Sequence, residues 1–140
     1  LDMLNYYLPE QGVCFTGDTL FSLGCGRIFE GDPSMMWDSL TKLMALPAET
    51  TIYSSHEYTQ ANAAFALSVD PDNADLIVRC AGIEKKRAQS QPTVPSLLSE
   101  ELATNPFLRA SDARIRAQLK MIDASDSEVF AEIRSRKDNF

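Results

Sequence analysis

The sequence predicts an α+β fold, and three observations carry that reading. Two apolar runs, Asn5 to Leu8 and Val13 to Thr16, flank Pro-Glu-Gln-Gly, the pattern of two strands joined by a turn. A further extended stretch, Thr50 to Ser55, ends at the only histidine, His56. Beyond residue 58 the apolar residues recur at helical rather than alternating spacing. The chain therefore divides near residue 58 into a part with strands and one helix, and a helical part.

Each element has its own local signals. Asp32-Pro33 marks a helix start, with aspartate as cap and proline in the first turn, and Met36, Leu40, Leu43 and Met44 follow at helical spacing until Pro47 stops them. Gln60 to Ser68 is rich in alanine and favours a helix. Asp70-Pro71-Asp72-Asn73 breaks it, and a second helix runs to about Gln89 with Leu76, Ile77, Cys80 and Ile83 as a core-facing stripe. The charges of Glu84-Lys-Lys-Arg87 form a solvated face on that helix. Gln91 to Ser96, with two prolines, predicts an extended loop, and Ser99 to Thr104 a short helix. The last helix starts at Ser125, which with Glu128 makes a capping box, and Val129, Phe130 and Ile133 supply its apolar face. Arg134 and Lys137 share what this pattern predicts to be an exposed side, where cations complement a helix C-terminus.

Composition bounds the function. The chain has 140 residues with 44% hydrophobic content, enough for a globular domain, and its net charge of −7 argues against a general nucleic-acid surface. No apolar run reaches the length of a membrane helix, so neither a nucleic acid nor a membrane is expected as partner. The three cysteines have no framework spacing, which favours a reducing compartment and a cytoplasmic location. Cys14 reads as a small core residue, and Cys25 and Cys80 as packing residues of a glycine-rich loop and a helix.

Two polar residues stand at strand ends, where α/β sheets collect ligands and catalytic groups: Asp18, after Phe15-Thr16-Gly17, and His56. Taken singly, Asp18 reads as an Asx-turn or cap residue and His56 as a satisfied, half-buried imidazole. A carboxylate at such a place can bridge metal ions, and zinc binds both imidazole nitrogen and carboxylate oxygen, but spacing alone leaves open whether the two residues meet. Two ligands are too few for a complete site. One alternative lets Cys14, Cys25 or Cys80 complete a mononuclear centre, although no Cys-x-x-Cys spacing supports it.

Three motifs, Thr16-Gly-Asp-Thr-Leu-Phe21, Gly24-Cys-Gly-Arg-Ile-Phe-Glu-Gly31 and Ser55-His-Glu-Tyr-Thr59, resemble glyoxalase II, the hydroxyacylglutathione hydrolase family, in order and spacing. The resemblance continues through Gln91-Pro-Thr-Val-Pro-Ser96, Asn105-Pro-Phe-Leu-Arg109 and Arg134-Ser-Arg-Lys-Asp-Asn-Phe140, and so covers nearly the whole chain. It implies the second part of a metallo-β-lactamase αββα sandwich over residues 1–58, followed by a helical glutathione-binding domain over residues 59–140. The family's main zinc motif, His-x-His-x-Asp-His, lies upstream of anything present, and a start at Leu1 fits a C-terminal portion. The missing N-terminal half is then expected in the same or another chain, since half a sandwich leaves an apolar sheet face open.

Of the family's metal ligands, the resemblance carries over Asp18, which would bridge two ions, and His56, which would bind the second. These would be two divalent metals, zinc first, with iron or manganese as alternatives. It also implies substrate contacts at Arg27, Phe29, Tyr58, Arg134 and Lys137, the last two taking the glycine carboxylate of glutathione. Phe29 stands where some members have tyrosine, so a hydroxyl contact would be replaced by packing. The implied reaction is hydrolysis of the S-D-lactoylglutathione thioester to D-lactate and glutathione by the complete protein, with residues 1–140 alone inactive. The alternatives are a truncated, non-catalytic glutathione-binding or interaction module and a metallo-β-lactamase-fold hydrolase of another thioester or lactam.

Overall fold

A computed structural model describes residues 5–26 and 32–140. Strands β1 (Tyr6–Leu8) and β2 (Val13–Gly17) form the expected antiparallel hairpin, turned by Gly12 at φ +63°. A two-strand ribbon follows, β3 (Leu20–Phe21) and β4 (Gly24–Cys25). Helix α1 (Pro33–Met44) is capped by Asp32, whose carboxylate accepts from the Met35 amide at 3.0 Å. It carries the chain across to β5 (Thr51–Ser54), which pairs parallel with β2. A parallel pair needs such a crossover, and α1 supplies it.

The second part is helical: α2 (Thr59–Val69), α3 (Ala74–Ala88), α4 (Leu98–Thr104), α5 (Ala113–Leu119) and α6 (Asp126–Asp138), with a 3-10 turn at Pro106–Leu108. The capping box of α6 is present as expected. Within the loop expected at residues 91–96, the last residue instead opens a short strand, β6 (Ser96–Leu97), which pairs antiparallel with β5. The main sheet has the order β1-β2-β5-β6, so the helical part supplies one edge of it. The fold is thus α+β.

Alternation gives the sheet two unlike faces. Cys14 and Ile52, partners across β2 and β5, point into a core shared with Met36 and Leu40 of α1, Phe65 of α2, Phe107, and Phe130 and Ile133 of α6. That core runs across residue 58. The opposite face carries the row Tyr6, Phe15 and Tyr53, paired in register and exposed, with Phe15 stacked on Tyr53 at 5.3 Å. A second core cluster joins Leu23 to Ala63 and Ala66 of α2 and to Leu76, Cys80 and Ile83 of α3. All three cysteines are free and buried.

Two expectations need correction. Ile77 is 50% exposed rather than core-facing, because the buried stripe of α3 is Leu76, Cys80 and Ile83, and Ile77 lies about 100° round the helix from Leu76. Arg134 is buried, not exposed: it sits one turn after Phe130 on the same stripe of α6, so its stem shares the core face.

Candidate metal centre

Because β2 and β5 run parallel, their C-terminal ends lie at one edge of the sheet, and the residues that follow each strand meet there. Gly17 takes φ +51°, which turns the chain off β2, and its carbonyl accepts from the Ser55 amide at 3.1 Å. This bond ties the loop after β2 to the loop after β5. As a result His56 Nε2 lies 3.1 Å from Asp18 Oδ1, with both side chains about half exposed. Two ligands on a tetrahedral zinc with bonds of about 2.0–2.2 Å stand about 3.3–3.6 Å apart, so this carboxylate and imidazole fit a shared divalent ion in donor type and fall within about 0.5 Å of the required separation. Among the described residues no group of three or more His, Cys, Asp or Glu side chains could hold a metal ion.

The backbone of Asp18 is held from two sides. Thr19 N–H donates to the Thr16 carbonyl at 2.8 Å, and Gly26 N–H donates to the Thr19 carbonyl at 3.2 Å. Gly26 packs directly on the Asp18 carbonyl. The turn between β3 and β4 is fastened by the helical part. Leu23, in the left-handed region at φ +59°, donates its N–H to Glu101 Oε1 at 2.9 Å, while Asn105 Nδ2 reaches the carbonyls of Phe21 and Gly24 at 3.2 and 3.1 Å. Glu101, fully buried, also pairs with Arg79 Nη2 at 2.6 Å. A buried carboxylate with a cation and two amide donors is satisfied, which explains how a leucine is kept in a backbone region it rarely visits.

An aromatic wall stands beside the pair. Tyr58 stacks on His56 at 4.9 Å between ring centroids and 16° between planes, and Phe21 meets both rings edge-on, at 6.0 Å from His56 and 5.4 Å from Tyr58. Glu57 turns the other way. Burial raises its pKa, but donation from the hydroxyl and N–H of Thr93, with Thr59 and the Arg87 guanidinium nearby, outweighs this and holds the carboxyl below its ordinary value.

The structure brings Asp18, His56 and Tyr58 together. Arg27 and Phe29 lie outside the described residues. Arg134 Nη1 donates to the Cys25 carbonyl at 2.7 Å and the Gly26 carbonyl at 3.4 Å, its Nε and Nη2 donate to Asp138, and its guanidinium lies 5.0 Å from the Phe107 ring centroid. Those bonds use four of its five N–H groups. Lys137, one helical turn on, is half-buried. The sequence assigned no role to Gly26, Glu101, Asn105 or Thr93; Gly26, Asn105 and Thr93 fall within the three motifs Gly24–Gly31, Asn105–Arg109 and Gln91–Ser96, and Glu101 within none.

Comparison with known proteins agrees with this construction. Residues 2–56 match the metallo-β-lactamase superfamily, which places the strand-bearing part in that superfamily. Residues 57–140 match the family described as hydroxyacylglutathione hydrolase C-terminus. The chain belongs to the hydroxyacylglutathione hydrolase family. It is 63% identical over 137 residues to the hydroxyacylglutathione hydrolase of Roseobacter denitrificans, a match covering 98% of this chain and 54% of that protein. It is 60% identical over 135 residues to the protein of that name from Maricaulis maris, covering 96% and 53%. The figure for Cereibacter sphaeroides is 58% over 137 residues, covering 98% and 54%. The chain spans about half the length of these curated relatives.

Proposed function

We propose that this chain carries part of the metal and substrate site of a metal-dependent thioester hydrolase acting on S-D-lactoylglutathione. The observation that carries the reading is the 3.1 Å approach of Asp18 and His56 at the ends of two parallel strands. Asp18 would hold two divalent ions, zinc first, and His56 the second of them. When bound, such ions act as Lewis acids and lower the pKa of water from 15.7 toward about 7. The remaining work falls to side chains. Tyr58, stacked on His56, offers a ring face and a hydroxyl to the glutathione peptide, and Arg27 and Phe29 are assigned to the same peptide by family resemblance. Lys137 supplies a point charge and Arg134 its remaining N–H to the glycine carboxylate. Thioester cleavage gives D-lactate and glutathione, and the thiolate leaves without a strong general acid.

Residues 1–58 are read as part of the metallo-β-lactamase-like domain and residues 59–140 as the helical glutathione-binding domain. The border between the two family matches supports this division. The exposed Tyr6, Phe15 and Tyr53 face is read as the surface that takes the remainder of the longer relatives' fold, and their greater length supports that. Among the described residues no helix is long and apolar enough to cross a membrane, and the cytoplasm is the proposed location. The test uses a protein of the relatives' full length carrying these residues. Asp18→Ala and His56→Ala are each expected to cut hydrolysis of S-D-lactoylglutathione by about a hundredfold or more, with loss of bound metal. Unchanged activity and metal content in either variant would overturn the assignment.

A further inference from the structure

Between the end of β5 at Ser54 and the start of α2 at Thr59, four residues carry His56 and Tyr58 with little of their own to hold them. Helix α2 begins without a side-chain cap bond. On one side the link from Ser55 N–H to the Gly17 carbonyl fixes the loop. On the other side Glu57 reaches a segment 36 residues away: its Oε1 accepts from the Thr93 N–H at 2.6 Å, and its Oε2 accepts from the Thr93 hydroxyl. Thr93 Oγ1 also lies 2.6 Å from Thr59 Oγ1, the first residue of α2. Thr93 and Thr59 are buried, and the Glu57 side chain is 27% exposed, so these bonds are partly sheltered from water. The Arg87 guanidinium stands 3.9 Å from Glu57 and donates to the Gln91 carbonyl, which steadies the segment that carries Thr93.

We propose that Glu57 and Thr93 form a latch that sets the direction of the His56 imidazole toward Asp18, which makes Thr93 a positioning residue for the candidate metal centre. The inference rests on reading Asp18 and His56 as metal ligands. The geometry is that of a two-sided clamp. His56 lies against Asp18 and the Tyr58 ring while Glu57, between them in sequence, reaches Thr93, so fastening Glu57 to Thr93 limits how the loop can turn His56. It also gives the Gln91-Pro-Thr-Val-Pro-Ser96 motif a physical task.

In the full-length protein the His56 ring protons are assigned as the signal that His56→Ala removes. Stacking on Tyr58 displaces that signal by ring current. Thr93→Val removes the hydroxyl at constant shape, and Thr93→Ser keeps it. Loss of the ring-current displacement in Thr93→Val and its retention in Thr93→Ser is the expected result. A His56 signal unmoved in Thr93→Val, with the amide fingerprint otherwise intact, would overturn the latch. Should Thr93→Val not fold, Glu57→Asp, one methylene short of Thr93, gives the same reading: displacement lost if the latch holds His56, retained if it does not. In the full-length enzyme, zinc affinity is expected to fall about 10- to 100-fold in Thr93→Val and to recover in Thr93→Ser, whereas unchanged affinity would count against the latch. Failure of the underlying reading is seen separately: His56→Ala would then bind zinc as tightly as the parent.

Discussion

Gly26 stands so close to Asp18 that a methyl group on its Cα would fall 2.0 Å from the Asp18 carbonyl oxygen. That contact is with backbone, so no rotamer change relieves it, and residue 26 has to be glycine for the Asp18 turn to keep its shape. Gly26→Ala is expected to shift Asp18 away from His56 and to lower metal affinity in the full-length protein by about tenfold or more. Isothermal titration with zinc measures it, and an unchanged affinity would show that the turn yields elsewhere.

Glu101 binds the Leu23 amide and the Arg79 guanidinium from a fully buried position. Removing the carboxylate leaves the Leu23 amide without its partner and Arg79 with Thr104 Oγ1 and the more distant Glu100, and Glu101→Ala is expected to cost about 3 kcal/mol. Urea unfolding at unchanged slope would record this as a lower midpoint. Because Leu23 sits in the left-handed region, the loss should also loosen the β3–β4 turn, visible as faster amide exchange at Leu23.

Arg134 links α6 to the carbonyls of Cys25 and Gly26. Truncation strands those acceptors and removes the contact with the Phe107 ring. Arg134→Gln is expected to destabilise the fold by about 2–4 kcal/mol, whatever it also does to glutathione binding. A stability change under about 0.5 kcal/mol would show that the guanidinium is free to serve substrate alone.

Acid sensitivity has an identifiable contributor far from the site. The Ser125 N–H, and then its hydroxyl, hold the Glu128 carboxyl below its ordinary value of 4.5. The folded state therefore binds fewer protons than the unfolded one near that value. The stabilisation is present above about pH 4.5 and fades as pH falls through the folded pKa. Melting curves of the parent and Glu128→Gln should differ at pH 7 and converge toward pH 3; a gap that stays constant would remove Glu128 from the pH response.

Burial pushes the Cys25 thiol up to about 11, with the Arg134 charge and hydrogen bond lowering it only in part, and burial also raises Cys14 and Cys80. A disulfide reagent at pH 8 is expected to label none of the three promptly in the folded protein and all three once urea is added. Prompt labelling of one thiol in the native state would locate an opening near it.

The positions of Asp18 and His56 at strand ends were legible in the sequence because each lies within two residues of a strand, whereas their pairing as candidate ligands was legible only through the family resemblance. The caps at Asp32 and Ser125 were legible for a similar reason: they act over three residues. What was not legible depends on distance or on competing roles. The stripe through Phe130 contains Arg134, and charge led to an exposed placement where position on the helix dictated a buried one. Helix α5 spans only seven residues with Ile115 and Leu119 as its buried apolar pair, too few to raise a periodic signal. The tie between Glu57 and Thr93 spans 36 residues, and nothing local to either announces it.

Asn105 holds the Phe21 carbonyl from 84 residues later in the chain, and Arg134 holds the Cys25 carbonyl from 109 residues later. In order of synthesis, then, the candidate site is written first and shaped last. A ribosome that has released Asp18 and His56 has yet to make the side chains that fasten the turn beside them. A nascent chain interrupted before Arg134 contains Asp18 and His56 while lacking a side chain that fastens the turn beside them. The turn that presents Asp18 is thus completed by side chains that lie 84 and 109 residues beyond the carbonyls they hold.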